Sequence, residues 1–118
     1  MAGLTTHVLD TVHGRPAAGV RIELFELDMS GERARVAETR TNADGRTDAP
    51  LIPAAEARAG RFELAFHIGD YFRSRGVATA EPPFLDVAPI RFNISDPAAH
   101  YHVPLVATPW SYSTYRGS

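Results

Sequence analysis

Five histidines are the residues best suited to proton transfer in this chain: His7, His13, His67, His100 and His102. An imidazole titrates near pH 6.5, roughly where a general acid or base must work at neutrality. The chain has no cysteine. That excludes a thiolate nucleophile, a thiolate metal ligand and a disulfide together. Ser111-Tyr112-Ser113-Thr114-Tyr115 supplies hydroxyls, but no Gly-x-Ser-x-Gly elbow activates a serine. His100-x-His102 puts two imidazoles on one face of a strand, which is half of a zinc site. No carboxylate or thiolate follows at a familiar ligand spacing, so no metal and no other cofactor is expected. Arg46 follows the tight-turn signal Asn42-Ala43-Asp44-Gly45. A guanidinium held there makes a fork for an anion, whereas the plain alternative is a solvated turn arginine. No Gly-rich phosphate loop is present.

These side chains must be carried by strands. Val20, Ile22 and Leu24 alternate with Arg21, Glu23 and Phe25. Phe62, Leu64, Phe66 and Ile68 alternate with Arg61, Glu63, Ala65 and His67. Ile90, Phe92 and Ile94 alternate with Arg91, Asn93 and Ser95. A period of two marks strands with one face buried. Weaker patterns cover Leu4 to Asp10, Arg35 to Thr41, Tyr101 to Thr108 and Trp110 to Arg116. Turn residues separate them at His13-Gly14-Arg15-Pro16, Asn42-Ala43-Asp44-Gly45 and Ser95-Asp96-Pro97. Nine Pro and nine Gly argue against a helical bundle. Seven or eight short strands at this spacing predict an all-β antiparallel sandwich. One short helix is expected near Asp70 to Arg75, and a connecting loop from Leu51 to Gly60.

The length of 118 residues suits a single domain over the whole chain, 1–118. The formal charge of -2 gives no electrostatic reason to expect nucleic acid. No basic run marks a membrane surface, and no apolar stretch is long enough to span one. The first residues lack the basic and apolar regions of a signal peptide, so a cytoplasmic setting is expected.

Alternation also orients the histidines. His7 shares a strand face with Thr5 and Leu9, where a half-buried imidazole on a backbone carbonyl is the plain reading. His13 reads as a solvated loop residue. His67 lies opposite the apolar face of its strand, toward solvent or a subunit contact. With Val103 and Leu105 taken as core, His102 projects the other way beside Pro104, Val106 and Thr108. A face that mixes a histidine, a proline and apolar residues suggests an interface or cleft.

Leu4-Thr5-Thr6-His7-Val8-Leu9-Asp10, continued by Gly14-Arg15-Pro16-Ala17, resembles the N-terminal signature of the 5-hydroxyisourate hydrolases, the enzyme branch of the transthyretin-like family. Thr41-Asn42-Ala43-Asp44-Gly45-Arg46-Thr47 is similar to the central motif of that branch. Pro83-Phe84-Leu85-Asp86 is similar to the segment ahead of Pro89-Ile90-Arg91-Phe92. His100-Tyr101-His102-Val103-Pro104-Leu105, followed by Ser111 to Ser118, resembles its C-terminal signature, closing on Tyr115-Arg116-Gly117-Ser118. The resemblance runs nearly end to end. Phe25, Asn93 and Pro97-Ala98-Ala99 depart from common forms but lie outside the motifs.

This resemblance implies a sandwich of two four-stranded sheets with one short helix. It implies a homotetramer, a dimer of dimers, with active sites in the clefts where dimers meet. It places the functional positions on His7, Arg46, His102 and the terminal Tyr115 to Ser118. The implied reaction opens the ring of 5-hydroxyisourate, a planar, oxygen-rich urate derivative, to 2-oxo-4-hydroxy-4-carboxy-5-ureidoimidazoline. In that setting His7 and His102 form an acid–base pair for water attack, and the sequence leaves open which takes the proton. Arg46 pairs with substrate oxygens and the developing oxyanion. Tyr115 walls the pocket, and Ser118 orients a histidine. Two rival readings are a transthyretin-like carrier of a small aromatic ligand and a purely structural sandwich. Tyr115 argues against the carrier by narrowing an open channel, and the polar terminal motifs argue against the structural role.

Overall fold

A computed structural model describes residues 2–117. The strands are β1 (Gly3–Asp10), β2 (Arg15–Pro16), β3 (Arg21–Leu27), β4 (Arg33–Arg40), β5 (Gly60–His67), β6 (Val87–Ile94), β7 (His100–Ala107) and β8 (Tyr112–Thr114). One helix, α1 (Ile68–Ser74), follows β5, and a single 3-10 turn occupies Ala54–Glu56. The strands form two four-stranded sheets, ordered β2-β1-β7-β8 and β4-β3-β5-β6. This is the sandwich of the transthyretin-like resemblance.

Period-two alternation builds the core. Val8 and Leu105 of one sheet meet Leu24, Phe62 and Phe66 of the other, all at most 1% exposed. Burying each such side chain contributes about 1.5–3 kcal/mol. On β1, Leu4, Thr6, Val8 and Asp10 point inward while Thr5, His7 and Leu9 lie on the outer face, half-buried. Thr6 is accommodated inside by donating its hydroxyl to the Val103 carbonyl at 2.6 Å. On β7 the inward set is Tyr101, Val103, Leu105 and Ala107, which turns His100 and His102 outward.

Three local expectations are corrected. The alternation of β5 ends at His67, not Ile68, because the chain coils into α1 there. Ile68 stays buried at 1% exposure, and the Gly69 amide donates to the Asp86 carbonyl at 2.8 Å. The segment Arg15–Pro16, expected as turn, pairs with Leu9 and Asp10 as a two-residue strand. His13 is not simply solvated: its Nδ1 sits 2.6 Å from Oδ2 of Asp10, which is 1% exposed. That carboxylate also accepts from the Val12 and His13 amides and the Tyr71 hydroxyl. His67 keeps to the outer face, where Nε2 meets Glu23 at 2.8 Å.

One pairing positions the site. β1 and β7 run parallel, with Thr5 level with His102 and His7 level with Pro104. Every other pairing between the strands is antiparallel.

Candidate active site

Residues level with one another in a parallel pair point to the same face, and so do residues two apart on a strand. His7, Thr5 and His102 therefore share the outer face of the β1–β7 pair. Side chains confirm the parity: Oγ1 of Thr5 lies 2.8 Å from Nδ1 of His102 and 2.9 Å from Nε2 of His100. One hydroxyl thus bridges two imidazoles that come from the far side of the sequence.

Arg46 reaches this face through its turn. The Asn42 amide donates to the Arg46 carbonyl at 2.7 Å, and the Asn42 side-chain oxygen accepts from the amides of Asp44 and Arg46. The turn is tied to β1 by the Val8 amide, which donates to the Gly45 carbonyl at 2.8 Å. Gly45 has φ +75°, the left-handed region that glycine adopts freely. A side-chain carbon there would stand 2.5 Å from the Val8 carbonyl oxygen and 3.2 Å from the His7 ring. The turn thus closes directly on His7. Arg46 itself is exposed, and among the described residues no carboxylate pairs with its guanidinium.

Electrostatics ties the three side chains together. Burial lowers the pKa of His7, and the Arg46 guanidinium lowers it further; the Asp44 backbone and carboxylate oppose this. Burial likewise lowers the pKa of His102, followed by the charges of Arg46, His7 and His100. Both rings are therefore held neutral at neutral pH, which leaves each able to take a proton and to donate a hydrogen bond from its remaining N–H. A hollow of about 170 Å³, lined by Thr5, Thr6, Arg46 and Thr47 among others, opens beside them.

The C-terminal segment reaches the same place. The Gly117 amide donates to the His102 carbonyl at 2.7 Å. A side-chain carbon on Gly117 would lie 2.6 Å from Cδ2 of His102, so this contact needs a glycine. Tyr115 is 60% exposed and lines a separate hollow of about 370 Å³ with Ile90, Phe92 and Tyr101. Arg116 stacks over Tyr101 at 4.2 Å and donates to the His100 carbonyl at 3.3 Å. Ser118 lies outside the described residues.

The structure thus brings together His7, Arg46 and His102, and it sets Tyr115 on a neighbouring hollow. Among the described residues no three His, Cys, Asp or Glu gather as a metal cluster. One contributor was not singled out from sequence. Thr5's parity with His7 was legible, but its level with His102 is a matter of strand register. Gly117 lay within the terminal segment expected to be functional, and its distance from the His102 ring reveals why it must lack a side chain.

Known proteins are similar to this chain along nearly its whole length. The HIUase/Transthyretin family profile matches residues 4–117. A 5-hydroxyisourate hydrolase of Deinococcus radiodurans is 60% identical over 116 residues, covering 98% of this chain and 96% of that one. The solved 5-hydroxyisourate hydrolase of Klebsiella pneumoniae superposes with a TM-score of 0.81 at 37% identity, over 100% of both chains. A solved (S)-allantoin synthase superposes with a TM-score of 0.91 at 47% identity; 98% of this chain covers only 43% of that longer one. The chain belongs to the HIUase/transthyretin family.

Proposed function

We propose that this chain, acting as one domain over 1–118, hydrolyses 5-hydroxyisourate to 2-oxo-4-hydroxy-4-carboxy-5-ureidoimidazoline. The observation that carries the reading is the shared face: two neutral imidazoles, His7 and His102, lie under the field of one exposed guanidinium, Arg46. The 60% identity to a protein named for this activity supports the substrate.

The chemistry follows from those groups. A water oxygen bonds to the carbonyl carbon of the ring amide as one histidine takes its proton. Arg46 holds the substrate oxygens and stabilises the oxyanion as it forms. The ring C–N bond then breaks as the proton taken from water passes to the leaving nitrogen, the second histidine holds the reacting groups by a hydrogen bond, and a carboxylate remains. No metal or other cofactor is required by these steps. Tyr115 forms a wall of the complete cleft, and Ser118 orients a histidine.

A homotetramer completes the site. The outer face bearing His7 and His102 is half-buried, and its Leu9 and Val106 give it apolar area for a partner. Two such faces meeting would enclose the substrate and exclude water. The cysteine-free composition suits a reducing cytoplasm.

The test is the decay of freshly generated 5-hydroxyisourate, followed by ultraviolet absorbance with and without the protein, in the presence of chelator. Fast, saturable, chelator-insensitive decay is expected. Decay at the spontaneous rate would overturn the reading, and ligand binding in a central channel would take its place. His7→Ala and His102→Ala should each lower turnover about a hundred- to ten-thousandfold while assembly is unchanged.

A further inference from the structure

His100 is the least explained polar side chain of the outer face. Its Nδ1 is buried and has no hydrogen-bond partner among the described residues. Its Nε2 faces the Thr5 hydroxyl at 2.9 Å, and the same hydroxyl faces Nδ1 of His102 at 2.8 Å. A threonine hydroxyl carries a single hydrogen. It can donate to only one of these nitrogens and must accept from the other. Two neutral arrangements satisfy both bonds.

In the first, His100 carries its proton on Nε2 and donates to Thr5, and Thr5 donates to Nδ1 of His102. His102 then carries its own proton on Nε2. In the second, every hydrogen is reversed, and both rings are protonated on Nδ1. The second would leave an unpaired N–H on the buried Nδ1 of His100, a group that folded proteins almost never tolerate. It would also force both rings into the tautomer that a free imidazole disfavours. The first leaves only a bare lone pair and uses the favoured tautomer twice.

We propose that Thr5 and His100 are positioning residues that fix His102 in the Nε2–H tautomer, so that its free nitrogen offers a proton to the cleft. This rests on the reading of His102 as a residue of the active cleft. It divides the labour of the pair. His102 enters as a neutral hydrogen-bond donor to the substrate in the cleft, and the lone pair that receives the water proton, and then returns it to the leaving nitrogen, belongs to His7. The backbone of Asp44 favours a proton on the His7 ring, which suits a base. The logic is that of any imidazole whose function depends on a partner at its far nitrogen.

The experiment reads the tautomer directly. The protein is labelled with ¹⁵N-histidine, and the five rings are assigned by single substitutions, His102→Gln among them. At a pH where His102 is neutral, its Nδ1 should show the shift of an unprotonated ring nitrogen and its Nε2 that of a protonated one. The reverse pattern overturns the proposal. Thr5→Val keeps the shape of the side chain and removes the hydroxyl. It should lower kcat about ten- to a hundredfold with KM within twofold, and mix the His102 tautomers. Thr5→Ser should restore both. Thr5→Val with unchanged kcat and an unchanged spectrum would also overturn it. The spectrum needs no turnover: a wild type that fails to hydrolyse the substrate yet shows the Nε2–H signature refutes the hydrolase and leaves the tautomer standing.

Discussion

Gly117 and His102 are held together twice, by a backbone hydrogen bond of 2.7 Å and by the ring lying where a Gly117 side chain would project, 2.6 Å from Cδ2. A methyl group there must displace the imidazole or the segment. Gly117→Ala should therefore lower kcat/KM by tenfold or more, because His102 can no longer sit against Thr5. The contact is at the sheet edge, so the melting temperature should move by only a few degrees. Steady-state kinetics beside a thermal melt checks this; full activity would show that the ring position is not demanding.

The acid limb of the reaction should lie low. His7 and His102 both have pKa values pushed below the ordinary value near 6.5 by burial and by Arg46. As pH falls, each ring keeps its neutral form past that value, so kcat/KM should hold down to about pH 6.5 and decline only below it. Stability follows the same sign. The unfolded chain takes up protons at about pH 6.5 before the folded chain does, so the histidine contribution is full above that pH and lost as pH falls beneath it. A pH–rate profile with its acid midpoint at or above 6.5 would contradict both statements.

Arg46→Ala should change two observables at once. Loss of the guanidinium should cost about a hundredfold or more in kcat/KM, as for the loss of an oxyanion donor. It should also move the acid limb upward, because the positive charge that disfavours the imidazolium forms is gone. Arg46→Lys restores the charge but not the planar fork. It should return the acid limb toward its original position while most of the activity remains missing. Rate profiles of the three proteins test the pair of effects; an unmoved limb in Arg46→Ala would separate Arg46 from the histidines.

Asp10→Ala should act on the fold and spare the chemistry. Burial pushes the Asp10 carboxyl up, but the bonds from His13 and Tyr71 outweigh it and hold the pKa below the ordinary carboxylate range. Removing the side chain strands the Tyr71 hydroxyl, which is 2.7 Å away on a residue only 4% exposed. The expected loss is on the order of 3 kcal/mol in urea unfolding. Asp10 points to the inner side of β1, opposite His7, so the folded fraction should keep its turnover.

Much of this fold was legible because alternation is a local signal. The period of two in Val20 to Phe25, Phe62 to Phe66 and Ile90 to Ile94 marked the faces that the core uses. Element ends were less legible. Ile68 has the parity of a strand residue, and only the tight approach of Gly69 to Asp86 shows why the chain coils there. The site was legible in its residue types and its motif resemblance, and opaque in its assembly. Nothing between Thr5 and His102 in the sequence says that they stand level, because register between distant strands is set by the whole sandwich. The same holds for the Asn42–Arg46 turn, whose tie to β1 runs through the Val8 amide.

The parallel pairing of β1 with β7 joins positions 97 apart, Thr5 to His102. Closing so long a loop is entropically slow compared with forming the hairpin contacts of the other sheet. A nascent chain can complete β3, β4 and β5 while β7 is still unmade, yet the His7–Arg46 side of the cleft then still lacks His102. Competence should therefore arrive abruptly and late during synthesis, and a proteolytic clip anywhere in the middle that lets the halves drift apart should silence the enzyme without touching one of its reactive side chains.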